Sequence, residues 1–308
     1  LPLAIDLATT ITGTRGGDEE VLVSPAEEHP AVVPLDVADP AAATPGWARH
    51  VAGVVAQLRP AEGFTGEVTT TLPIGAGLSS SAALEVALAL ALGFEGSTTD
   101  LARLTQRAEQ QASGVPCGIM DQLASAAGVT GHALLIDCHA LTIEPIAVPD
   151  DLEIRVIHSG QERQLADSAY AERTASVDAA EAVLGPLRLL ADPAAADELA
   201  DPILRRRARH VITENARVRT VADALPSGDL DAVGRALVAS HVSLRDDFEV
   251  STPVLDTLVD RLNATEGVIG ARLTGAGFGG CVVALTRPGT LQEGWLVRPS
   301  AGAHLTLG

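Results

Sequence analysis

The stretch Leu72-Pro-Ile-Gly-Ala-Gly-Leu-Ser-Ser-Ser-Ala-Ala-Leu-Glu85 decides how the rest of the chain is read. Gly66 to Leu72 alternates with Thr and reads as a strand running into it; an apolar helix is expected to leave it from near Ser79. Between them, Gly75 and Gly77 allow a tight turn and a close approach of backbone to a ligand. Ser79, Ser80 and Ser81 then fall where the helix begins. The free amides and positive dipole end of a helix start attract phosphate. A serine hydroxyl at that point can also ligate a Mg²⁺ ion bridging two phosphates. A lone Gly-x-Gly would be an ordinary turn with a Ser N-cap, but the full string is far more specific for phosphate binding.

Composition narrows the chemistry. The 21 basic residues are all Arg, against 40 acidic ones, for a formal charge of −19. Without Lys there is no Walker-A, protein-kinase or Schiff-base lysine. The acidic balance argues against a nucleic-acid partner. Cys117, Cys138 and Cys281 are too few and too widely spaced for a disulfide framework or a zinc pattern, which points to a reducing, cytoplasmic setting. The apolar run Ala82 to Phe94 contains Glu85 and is too short to span a membrane. The eight His form no metal-binding pair. The only Met is Met120, and Leu1 is an unusual start, so the chain is expected to lack an N-terminal piece.

Its 308 residues suggest about two domains of ~150 residues each. The boundary is placed near Pro149-Asp150-Asp151, giving units 1–150 and 151–308. In the first, strands are expected within Leu1 to Thr14, at Val21 to Ser24, Gly66 to Leu72, Thr130 to Asp137 and Leu141 to Ala147, with at most one edge strand between Glu28 and Gly46. Helices are expected at Trp47 to Leu58, Thr98 to Ala112 and Gly118 to Ala127. The second opens on a strand, Leu152 to His158. Helical periodicity follows at Arg163 to Val183, Pro202 to Ala224, Leu230 to Leu244 and Thr252 to Asn263, and then strands at Val268 to Leu273 and Cys281 to Thr286. Ala191 to Asp201 reads as a flexible surface segment, and Arg205 to Glu214 as a solvated basic helix face. Helices cluster instead of alternating with strands, so two α+β domains are expected, not a doubly wound sheet.

Two carboxylates stand out downstream. Glu109 falls late in one expected helix and Asp121 early in the next. Either alone reads as a solvated helix carboxylate, yet phosphate chemistry at a hydroxyl needs a metal-holding carboxylate and often a base. Near the C-terminus, Leu273-Thr-Gly-Ala-Gly-Phe-Gly-Gly-Cys281 places four glycines between two strands. A hairpin would need two of them; four favour a loop packed on the phosphate turn.

The string Pro73 to Ala82 resembles the second motif of the GHMP kinases, and Leu273 to Cys281 the third. Glu109 to Gln122, the segment around Tyr170, and Ser243 to Ser251 resemble galactokinases in particular, and the likeness runs from Leu1 to Gly302. It implies the two-domain GHMP kinase fold: an N-terminal mixed α+β domain, a C-terminal ferredoxin-like α+β domain, and an active site in the cleft between them. It implies an ATP- and Mg²⁺-dependent kinase that makes galactose 1-phosphate; a monomer with no membrane or nucleic-acid partner is expected. Gly75, Ala76, Gly77, Leu78, Ser79, Ser80 and Ser81 would hold the ATP phosphates. Ser81 and Glu109 would hold Mg²⁺. Asp121 would accept the C1 hydroxyl proton, and Gly118 and Tyr170 would touch the sugar. The resemblance gives Ser243 to Ser251 a structural role beside the active site. Galactokinases carry a further Arg and a Glu-His-x-Asp cluster in a first motif ahead of Leu1, so this chain alone is expected to be weak or inactive. A kinase for a related sugar such as arabinose or N-acetylgalactosamine, and a non-catalytic galactose- or ATP-binding regulator, remain alternatives.

Overall fold

A computed structural model describes residues 1–73, 77–162 and 166–306, with the side chains of 166–168 outside the description. The chain forms two units. One takes residues 2–73, Leu78–Pro145 and the C-terminal residues from Pro299; the other takes Ile146–Arg298 together with Leu1 and Gly77. The residues from Pro299 return to the unit that begins at Pro2. Backbone hydrogen bonds explain this return: Ser300 N–H donates to Ala4 O at 2.9 Å, Gly302 N–H to Gly128 O at 2.8 Å and Ala303 N–H to Ser125 O at 2.9 Å.

The N-terminal unit has a four-stranded sheet built from β1 (Thr9–Arg15), β2 (Glu19–Val23), β3 (Ala31–Pro34) and β4 (Phe64–Thr70), in the order β1-β4-β2-β3. β1 runs antiparallel to β4 with Thr9 opposite Thr70, β4 parallel to β2, and β2 antiparallel to the short edge strand β3. Only Thr9–Arg15 of the expected opening strand joins this sheet; Ile5 makes an isolated bridge with Pro299. Helices α1 (Ala48–Leu58), α2 (Ser80–Ala91) and α3 (Thr98–Ser113) pack against the sheet around Leu22, Val33, Val54, Phe64, Val86 and Leu104. On α1, a Cβ at Gly53 would lie 2.5 Å from Ala108 O on α3. This close helix approach lies next to Glu109, the following residue on α3.

The ends of α3 are fixed by its own sequence. Ser97 and Asp100 form a capping box at its start, and Gly114, at φ 73°, closes it in a left-handed turn. The chain then runs without regular structure to the short helix α4 (Met120–Ala127). Gln106 and Gln110 both donate from Nε2 to Cys117 O, at 3.0 and 2.9 Å, and pin this passage against α3. A two-stranded hairpin, β5 (His132–Asp137) and β6 (Thr142–Ala147), follows.

The C-terminal unit carries an antiparallel sheet of β7 (Glu153–His158), β8 (Val268–Leu273), β9 (Cys281–Thr286) and β10 (Trp295–Val297), in the order β10-β7-β9-β8. That is the ferredoxin-like order, with a loop where the second crossover helix would stand. Helices α5 (Ala166–Leu184), α6 (Pro202–Ser227), α7 (Leu230–Asp246) and α8 (Pro253–Asn263) lie between β7 and β8 in sequence. The α+β expectation holds for both units. Two expectations need correction. Pro193–Glu198 is a 3₁₀ helix at the surface as expected, but Ala196 and Leu199 are buried with Leu187 and Ile212, so this Ala/Asp-rich segment is anchored and not a loose loop. The face of α6 around Arg207 is not solvated: Arg207 is only 2% exposed, and its guanidinium donates to Asp247 O and to Glu249 Oε2. A run of arginines reads as surface charge until the carbonyls it serves are known.

Candidate active site

Ser79 precedes α2 with φ 55° and ψ 46°, the left-handed region that a non-glycine residue rarely adopts. Its hydroxyl does not cap the helix. It donates instead to Asp121 Oδ2 at 2.5 Å, joining the start of α2 to the start of α4. The first amides of α2 are therefore left without a side-chain cap, the condition under which a helix start can bind an anion. Two residues later, Ser81 donates from Oγ to Glu109 Oε1 at 2.7 Å. Gln122, fully buried on α4, donates from Nε2 to the other oxygen of Glu109. The result is two serine–carboxylate pairs side by side, one on α3 and one on α4, both anchored to the first turn of α2.

Among the described residues no arginine is paired with Glu109 or Asp121. Burial pushes the Glu109 carboxyl above its ordinary range; the Ser81 hydrogen bond opposes this and the charge of Asp121 adds to it. A divalent cation would relieve that strain directly. Ser81 Oγ and Glu109 Oε1 are hard oxygen donors already side by side, and no group of three or more His, Cys, Asp or Glu suited to a metal occurs among the described residues. That set fits Mg²⁺, which takes one or two protein oxygens and completes its shell with water and phosphate, better than it fits an all-protein cage. Cys117 is a poor nucleophile: burial, and then the charge of Glu109, push its thiol up to about 12.

Behind Glu109 lies a pair that the sequence did not reveal. Glu85, one turn along α2 from Ser81, is fully buried and shares a 2.8 Å hydrogen bond with His50 Nδ1 on α1. Burial, reinforced by the charge of Glu109, raises the Glu85 carboxyl to about 10. Burial also lowers His50, with Arg49 adding to the effect. Glu85 is therefore a neutral acid at neutral pH in the folded chain, while in the unfolded chain it ionises above about 4.5. Its contribution to stability is complete below that value and is lost as pH rises toward 10. Glu85→Gln, neutral at every pH and of the same shape, is expected to melt near wild type at pH 5 and several degrees above it at pH 8. Melting curves that stay parallel across that range would contradict the assignment.

Other expected site residues fall as follows. Gly77 has φ 79°, as a tight turn requires, and Leu78 and Ser80 are half-buried beside Ser79. Gly75 and Ala76 lie outside the described residues. Gly118 is exposed just ahead of α4. Tyr170 is half-buried on α5 in the C-terminal unit. The glycine loop after β8 has φ between 73° and 126° at Gly275, Gly277, Gly279 and Gly280. Its described contacts run to Val250, against Gly277, and to Gln161 and Glu162, against Gly279. The expected packing on the phosphate turn involves residues outside the description.

Two family descriptions match the chain: "GHMP kinases N terminal domain" over residues 48–129 and "GHMP kinases C terminal" over residues 221–295. Among solved structures, Lactococcus lactis galactokinase complexed with galactose is similar over 97% of this chain and 87% of its own, with a TM-score of 0.90 and 28% identity. Methanococcus jannaschii mevalonate kinase is similar over 94% of this chain and 84% of its own, with a TM-score of 0.63 and 21% identity. For Streptococcus pneumoniae phosphomevalonate kinase in complex with phosphomevalonate and AMPPNP the values are 93%, 87%, 0.60 and 14%. At those identities the last two speak for the fold alone. No helix among the described residues is long and apolar enough to cross a membrane.

Proposed function

We propose that this chain, which belongs to the GHMP kinases, phosphorylates galactose at its C1 hydroxyl with ATP as donor. Membership makes it a small-molecule kinase; the choice of galactose is the finer step. The observation that carries it is the double serine–carboxylate arrangement, Ser79 with Asp121 and Ser81 with Glu109, at an uncapped helix start. The galactose-bound Lactococcus lactis enzyme supports the choice of sugar.

Each residue then has a definite task. The α2 amides and the residues Gly75 to Ser81 receive the ATP phosphates, because a helix start presents unpaired donors to anions. Ser81 and Glu109 would hold Mg²⁺, which supplies charge neutralisation for the phosphates when bound. Asp121 faces the sugar. One of its oxygens is held by Ser79, which leaves the other to accept the hydroxyl proton as the sugar oxygen bonds to the γ-phosphorus and ADP leaves. Gln122 keeps Glu109 in place, and Gly118 and Tyr170 contact sugar hydroxyls.

The test is ADP release from Mg·ATP with galactose, arabinose or N-acetylgalactosamine as acceptor, with ³¹P NMR of the product. Galactose-dependent release with the phosphate on C1, however slow from this chain alone, is the expected result. Preference for another acceptor would move the substrate assignment and leave the kinase chemistry standing. Ligand binding without ADP release from any acceptor, in a chain that also carries the first motif, would favour the regulator.

A further inference from the structure

Three residues beyond Tyr170, Arg173 is 9% exposed and uses its whole guanidinium. Nε–H donates to Phe248 O at 2.6 Å, an Nη2 hydrogen to Glu249 O at 2.9 Å, and Nη1 lies 3.0 Å from Glu172 Oε1. The guanidinium Cζ lies over the Phe278 ring, 5.8 Å from its centroid. Both Glu249 and Phe278 are non-glycine residues with positive φ, 54° and 60°. Such conformations persist only where surrounding contacts over-determine them. Phe278 belongs to the glycine loop, and its own N–H donates to Val250 O at 2.8 Å, while Gly280 N–H donates to Gln161 O at 2.9 Å. A single buried side chain therefore meets two strained turns at once, and it stands on the same helix as Tyr170 at a spacing that puts both on one side.

We propose that Arg173 is a positioning residue for sugar binding: it locks the α5 turn carrying Tyr170 to the Phe248–Glu249 turn and to the glycine loop. The inference rests on the reading that Tyr170 meets the sugar. A planar fork is needed here, since two successive carbonyls and a ring face are served together. Lysine keeps the charge and cannot serve all three.

Arg173→Lys is the decisive variant, measured in the full chain. The KM for galactose is expected to rise about tenfold, with kcat and the KM for ATP changed by less than about twofold, the signature of lost ground-state binding. Amide hydrogen exchange at Phe278 and Gly280 should quicken about tenfold while the β9 amides stay protected. Phe278→Leu, which removes only the ring, should quicken the same amides and raise the KM for galactose less, and it serves if the lysine variant folds poorly. A merely structural tie would lower the melting temperature and leave the galactose KM unchanged, and that result overturns the proposal, as does unchanged exchange at both amides. If the wild type ignores galactose, it is the substrate reading that fails. The exchange measurement then still decides the tie, and the KM comparison is made with whichever acceptor the wild type uses.

Discussion

Asp121→Asn is expected to lower kcat by about 10²–10⁴-fold, the usual contribution of a positioned general base, while nucleotide binding and melting temperature stay close to wild type. The reasoning starts from geometry. Asp121 lies in the first turn of α4, and Ser79, held in a left-handed conformation, donates to its Oδ2 at 2.5 Å. Asparagine has the same shape and can accept the same hydrogen bond through its oxygen. The amide nitrogen then takes the place of the second carboxylate oxygen and presents donors where an acceptor is needed. The sugar hydroxyl keeps its place and loses its proton acceptor. Ser79→Ala should act in the same direction and less, by roughly tenfold, because it frees the carboxylate to turn without removing it. Steady-state kinetics and calorimetric titration with nucleotide measure both variants. A kcat for Asp121→Asn within about threefold of wild type would leave phosphoryl transfer to positioning and charge alone, and would remove Asp121 from the acid–base role.

Which parts of this site could be read from sequence follows from how local each contact is. The start of α2 was legible because the serines and the apolar run behind them are contiguous, and each has one dominant local use. The helices α1, α3, α6, α7 and α8 were legible within a few residues because their periodicity is strong, and all of them but α1 open on a conventional side-chain cap, Ser97, Asp201, Asp229 or Thr252. Contacts between distant segments were not legible. Nothing in the apolar run around Glu85 says that its carboxyl meets His50, 35 residues earlier. Arg207 looked like surface because its partners, Asp247 O and Glu249, lie 40 and 42 residues on. The turn at Phe248–Glu249, by contrast, sat inside a stretch expected to be structural, and two buried arginines hold it. The three-residue strand β10 was missed because Trp295–Val297 is too short to show a period. Its place beside β7 comes from pairing Trp295 with Val156.

Gly277→Ala carries the largest expected loss of stability. Gly277 has φ 82°, and a Cβ added there would stand 2.2 Å from Val250 O and 2.8 Å from Val250 Cβ. The backbone conformation alone costs a side chain roughly 1–2 kcal/mol. The contact is worse, because its partner is a backbone carbonyl already accepting a hydrogen bond from Phe278 N–H and cannot swing aside as a flexible side chain would. Gly289 separates the two effects. It has a similar φ, 75°, and nothing within 4 Å of an added Cβ. Gly289→Ala should therefore show the conformational cost only, about 1 kcal/mol, or a few degrees of melting temperature. Gly277→Ala should exceed it by at least about 2 kcal/mol, in the range reserved for forced backbone movement, and should cut activity in the molecules that still fold, since Val250 continues the Phe248–Glu249 turn that Arg173 holds. Thermal melts of both variants in parallel make the comparison. Equal losses at the two positions would mean that Val250 yields to the new methyl group and that this turn is not the rigid support described above. A Gly277→Ala protein that melts low and binds galactose normally would place the rigidity in the fold and outside the site.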